Sequence, residues 1–170
     1  MMLNELLLEA MNREVERSRV ALEAVPNEDR YDWKPHDRSM IFGYLANMVA
    51  TIPSWVTAIV TKPDLDVAPV GGPTMKPQRM AASAEFLRAL DEAANGARDA
   101  LAKATDDHLR ITWQLKAAGQ VVQAAPRYQV ILDTLTHWAH HRGQMTVYLR
   151  LMGLKVPAIY GPSADDKTFR

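Results

Sequence analysis

No cysteine occurs among the 170 residues. That excludes disulfides, thiolate nucleophiles and cysteine-held zinc. No charge of either sign is in excess: Lys plus Arg number 20, and so do Asp plus Glu. A nucleic-acid partner is therefore not expected, because binding to phosphates draws on a basic surplus. Zero net charge also removes one barrier to self-association. No long apolar run opens the chain. Met1 to Val25 is interrupted by Glu5, Glu9, Arg13, Glu14, Glu16, Arg17 and Arg19, so neither a signal peptide nor a membrane span is expected there. The expected location is the cytoplasm, without membrane contact. What remains, 48% hydrophobic and 24% charged residues, is the balance of a folded domain rather than a disordered chain. One domain over residues 1–170 suits the length.

Periodicity predicts four helices. The first runs from about Leu3 to Glu23, with Leu3, Leu7, Met11, Val15 and Leu22 recurring at helical spacing. Pro26 and Asn27 end it, and Tyr31 to Pro35 reads as an extended connector. The second runs from about Ser39 to Val60, with a kink expected at Pro53, which lacks an N–H and crowds the preceding turn. Thr61 to Pro77, with four prolines and Gly71-Gly72, reads as an irregular linker. The third runs from about Ala82 to Ala104, with Ser83 as its N-cap and an incomplete capping box, because Phe86 stands where the glutamate belongs. His108 to Pro126 reads either as a short hairpin turning at Gly119 or as an irregular excursion. The fourth runs from about Tyr128 to Gly153, and the tail from Val156 is expected to be extended. The predicted fold is all-α, a four-helix bundle with long irregular connectors.

Three of the five histidines fall in Thr136-His137-Trp138-Ala139-His140-His141-Arg142-Gly143-Gln144. His137 and His141, four apart, stack on one helix face and are spaced to chelate one metal ion. They also suit two satisfied polar residues near a core. His140 faces about 100° away from His141. Asp133 lies one turn before His137 but about 12 Å of helix rise from His141, too far to share an ion. It is placed to orient His137 as a hydrogen-bond acceptor, or to be solvated near the helix start. A third ligand has to come from another helix.

His137-x-x-x-His141-Arg142-Gly143-Gln144, then Tyr148-Leu149-Arg150, then Tyr160-Gly161-Pro162-Ser163-Ala164-Asp165 strongly resembles the DinB-like (DinB/YfiT) family. Trp33-Lys34-Pro35-His36, Ser39-Met40, Gly43-Tyr44-Leu45-Ala46 and Pro53-Ser54-Trp55 are similar to it as well, so the resemblance covers most of the chain after about Tyr31. It implies a four-helix bundle with a divalent metal, zinc or nickel, held by three histidines. Two are His137 and His141. The third belongs in a pattern like G-x-L-A-x-H-x-A-x-x-P-x-W, which here runs from Gly43 to Trp55 and carries Met48 at the histidine position. A thioether is a poor ligand for zinc and a better one for copper(I), so two histidines and Met48 would make a softer, weaker site. Core packing is the other role open to Met48. Asn47, Glu14, Glu16, His36 and His108 are lesser candidates for ligands.

Some members of that family activate a low-molecular-weight thiol on the metal for transfer to an electrophile. By resemblance, His137 and His141 then hold the metal and a thiol takes an open position, where its pKa falls. Gln144 and Tyr148 are expected to line the pocket. Arg142 and Arg150 are placed to bind a carboxylate of the thiol, or else to form ion pairs. The resemblance also implies a homodimer. The alternative is a non-catalytic bundle that has lost its metal and acts through dimerisation or partner binding. The sequence names no catalytic residue.

Overall fold

A computed structural model describes residues 2–72 and 78–169. Helix α1 (Leu3–Glu23) matches its predicted bounds. Its Leu7, Met11, Val15 and Leu22 are buried. The connector that follows is held over the start of α2 (Phe42–Thr51). The Phe42 N–H donates to the Trp33 carbonyl (2.7 Å) and the Gly43 N–H to the Tyr31 carbonyl (2.8 Å). Two donors that a helix start leaves without partners are thereby satisfied. Gly43 is needed for this approach: a Cβ there would lie 2.0 Å from the Tyr31 ring.

The predicted second helix is two helices. Pro53 stops α2 and opens α3 (Pro53–Thr61), and their axes meet at 48°. The last carbonyls of α3 are capped from outside. Arg127 Nη1 donates to the carbonyls of Ile59 (2.5 Å) and Lys62 (3.1 Å), and His108 Nε2 lies 2.7 Å from the Val60 carbonyl. A cation suits the negative end of a helix dipole. His108 is thereby committed to structure, and His36 bonds the Arg38 N–H within its own connector (3.1 Å).

The expected linker contains a strand, β1 (Asp64–Asp66), while its residues 73–77 lie outside the described residues. Helix α4 (Ser83–Lys103) begins one residue earlier than the predicted cap requires. Glu85, not Phe86, therefore falls at the third position and accepts from the N–H groups of Ala81 (2.8 Å) and Ala82 (3.0 Å). Ser83 is not the cap; its hydroxyl donates to the Leu22 carbonyl (2.9 Å). A short helix the sequence reading missed, α5 (Asp106–Arg110), follows with Thr105 as its cap.

The uncertain stretch is a hairpin. Strands β2 (Thr112–Ala117) and β3 (Gln120–Pro126) pair antiparallel, with a bulge after Leu115. Ala118 and Gly119 turn it at φ of 51° and 77°, the left-handed pair that a two-residue hairpin needs. β1 pairs parallel with β2, so the sheet order is β1-β2-β3. The all-α expectation is thus corrected: the protein is mostly helical with a small three-stranded sheet. The sheet arises because Trp113 and Leu115 alternate on one face, a pattern of period two.

Helix α6 (Arg127–Leu151) packs against α1, α2 and α3. It ends in a Schellman motif: the Leu154 N–H donates to the Leu149 carbonyl and the Gly153 N–H to that of Arg150, both at 3.0 Å. The tail is irregular and tightly bonded rather than simply extended. Asp166 accepts from the Ala158 N–H (3.0 Å), and Ser163 donates to the Val156 carbonyl (2.5 Å). Among the described residues no single helix is long and apolar enough to cross a membrane. The bent pair α2–α3 qualifies by length and composition only, and its apolar side chains are largely core.

Candidate metal and ligand site

The site begins with the register of α2 against α6. Trp138, fully buried, donates from Nε1 to the Val49 carbonyl (2.7 Å). That bond places Met48 and His137, each one residue away, on walls of the same cavity. The cavity has a volume of about 700 Å³. The sheet forms its far side: Trp113 and Leu115 of β2 and Gln123 of β3 line it, opposite Ile52 and Trp55.

His137 and His141 converge as the four-residue spacing requires. Their Nε2 atoms are 3.0 Å apart and their rings are perpendicular. His141 is buried, whereas His137 is exposed. His141 Nδ1 lies 2.9 Å from Gln144 Oε1. A carbonyl oxygen only accepts, so Nδ1 carries the proton and Nε2 keeps its lone pair. Burial lowers the pKa of both imidazoles. The charge of His140 adds to the effect on His137, while on His141 the Gln144 bond opposes it. Both rings are thereby biased towards the neutral form, which is the form that ligates metals.

These two residues fit a divalent ion. Two zinc–nitrogen bonds of about 2.0–2.1 Å at a tetrahedral angle set their nitrogens about 3.4 Å apart, a few tenths of an ångström beyond the present separation. The Gln144 carbonyl on the far nitrogen is the usual outer partner of a ligating histidine. The donor set stops at two strong ligands. Among the described residues no group of three or more His, Cys, Asp or Glu side chains comes together. Met48 offers only sulfur to the cavity.

The other predicted residues divide. Asp133 lines the cavity, but its carboxylate accepts from Gln123 Nε2 (3.2 Å) rather than orienting His137. Gln144 serves His141 and does not line the cavity. Tyr148 is not in the cavity wall either. Its hydroxyl donates to the Met40 carbonyl (3.0 Å) and its ring meets Trp33 edge-on, so it holds the connector down on α6. Arg150 pairs with Asp165 (2.5 Å), which also accepts from the Val156 N–H.

Arg142 is fully buried on the opposite flank, because one residue along a helix is about 100° around it. It donates to Glu14 and Tyr160, and to the Ser18 hydroxyl (2.8 Å). Carboxylate binding by Arg142 thus gives way to a buried ion pair. Burial pushes the Glu14 carboxyl up, but Arg142 and then Arg17 outweigh it and hold it below the ordinary value. Glu14 is consequently no metal ligand. Asn47 is a cavity residue, and its amide nitrogen is spent on the carbonyls of Gly43 (2.9 Å) and Gln78 (3.1 Å). Trp113 lines the cavity too and was missed by the sequence reading, although it lies in the stretch His108 to Pro126 read there as a possible hairpin.

A model of the DinB family matches residues 1–168. The chain belongs to the DinB family. It is 35% identical over 85 residues to the uncharacterized protein YrdA of Bacillus subtilis (strain 168), a match spanning 49% of this chain and 48% of that relative. Two crystal structures of DinB-like proteins share its fold. One, from Bacillus cereus ATCC 10987, has a TM-score of 0.68 at 21% identity, over 91% of this chain and 95% of that one. The other, YjoA from Bacillus subtilis, has a TM-score of 0.63 at 15% identity, over 86% and 92%. The His137–His141 pair is thus carried on a DinB-family fold.

Proposed function

We propose that this DinB-family protein is a metal-dependent enzyme in which His137 and His141 seat a divalent ion, zinc or nickel, at the edge of the cavity. The observation that carries the reading is the 3.0 Å approach of the two Nε2 atoms with the His141 tautomer set by Gln144. When bound, the ion supplies Lewis acidity that lowers the pKa of a small thiol and makes it a nucleophile at neutral pH. The chain's own residues do the rest. Gln144 orients His141, the Trp138–Val49 bond holds α2 beside α6, and the sheet face of Trp113 and Leu115 forms one wall of the cavity. Met48 stands at the third-ligand position and leaves it weakly occupied.

A second reading, a bundle without metal that acts through partner binding, is favoured by one observation: the third strong donor is lacking among the described residues. Equilibrium dialysis of untagged protein against zinc separates the two. The enzyme reading expects about one ion per chain, lost in both His137→Ala and His141→Ala. Zinc uptake that neither substitution changes, or no uptake at millimolar zinc, contradicts it.

A further inference from the structure

The cavity is lined almost without charge. Residues 42–61, which make up α2 and α3, contain no Asp, Glu, Lys, Arg or His. Lys116 of β2 is turned to Asp64 (2.7 Å), and Arg127 is turned to the end of α3. Among the described residues, Asp133 is the only Asp, Glu, Lys or Arg in the wall. It is exposed, and its partner is the neutral amide of Gln123 (3.2 Å). Within the described wall no cation compensates this carboxylate.

Aromatic rings stand at the same cavity. Tyr44 and Trp55 line it while remaining 38% and 36% exposed. Ile52 and Val130, by contrast, are buried in its wall. The wall thus runs from buried apolar side chains to an exposed carboxylate and two partly exposed rings. The face of such a ring attracts a cation through its quadrupole. Charge then decides between occupants. An anion would meet a carboxylate and find no cation. A neutral molecule would fill the volume but leave Asp133 with Gln123 alone. An organic ammonium ion gains both the carboxylate and the ring faces. Because Asp133 is exposed, the charged head keeps part of its water, and little desolvation opposes the pairing. A volume of about 700 Å³ is ample for a small organic molecule.

We propose that the cavity binds an organic ammonium ion with an apolar body, its charged head at Asp133 and its body against Met48, Ile52 and Leu115. Tyr44 and Trp55 supply the ring faces. This ligand site goes beyond the metal reading and requires no ion at His137 and His141.

Benzylammonium, benzyl alcohol and benzoate test it, because they share one apolar ring and differ chiefly in charge. Titrations followed by ¹⁵N–¹H spectra use untagged protein without added metal, so their outcome is independent of zinc uptake. Benzylammonium is expected to bind at least about fivefold more tightly than benzyl alcohol, and benzoate more weakly than the alcohol. Amide shifts should cluster at Met48, Trp55 and Leu115. Asp133→Asn keeps a side-chain acceptor for Gln123. It is expected to weaken benzylammonium about threefold to tenfold while changing the alcohol by less than about twofold. An alcohol or a benzoate that binds as well as the ammonium, a preference that Asp133→Asn leaves intact, or shifts confined to other surfaces overturns the inference. So does an absence of benzylammonium binding. If Asp133→Asn does not fold, the wild-type order of the three probes and the location of their shifts decide.

Discussion

His141 and Arg142 are neighbours in the chain, yet they serve opposite flanks of α6. Arg142, itself fully buried, turns towards α1, where Glu14, Ser18 and the exposed Tyr160 receive its guanidinium. His141 turns towards His137 and the cavity, where the two Nε2 atoms have only each other. The first flank is a network that ties the helix to α1 through the two terminal nitrogens of Arg142, while its Nε is buried without a partner among the described residues. The second is a pair of imidazoles in contact beside the cavity that His137 lines. The difference teaches why one short motif combines residues of such different chemistry: Arg142 ties α6 to α1, and His141 is left to meet His137.

Breaking the Arg142 flank should have the largest effect. Glu14→Ala leaves the Arg142 charge buried, with side-chain exposures of 0% for Arg142 and 13% for Glu14 in the native pair. A loss of about 3–5 kcal/mol is expected in denaturant unfolding, and any zinc affinity of the folded protein should stay within about twofold. A loss below about 1 kcal/mol would show that the flank is not the anchor described.

Sharpening the comparison needs the opposite result on the His141 flank. Gln144 is exposed and touches the site only through His141. Gln144→Ala is expected to weaken zinc by about tenfold while changing stability by less than about 0.5 kcal/mol. Isothermal titration beside a denaturation curve checks both. A variant that loses stability and keeps its zinc affinity would assign Gln144 to the fold.

Much of this architecture was legible from local patterns. The apolar spacing of α1, the break at Pro53 and the Gly153 terminus of α6 each depend on neighbours a few residues away. The His137–His141 convergence was legible for the same reason, as a consequence of helical pitch. The cavity's far wall was not. Its sheet depends on β1 pairing with β2 across about fifty residues, as in Asp64 with Gln114, and a three-residue strand carries almost no periodic signal. The side of α6 that Arg142 takes was equally hidden, because it is set by Glu14, 128 residues earlier in the chain.

The central claim is that the His141 flank is a metal seat lacking one strong donor, with Met48 at the vacant position. Zinc titration of Met48→His tests this most directly. Because Met48 and His137 line the same cavity, a histidine at 48 should supply the third donor and tighten zinc by at least about tenfold, or about 1.4 kcal/mol. Adding His137→Ala should remove the gain. A folded Met48→His protein whose zinc affinity equals that of the wild type would contradict the account.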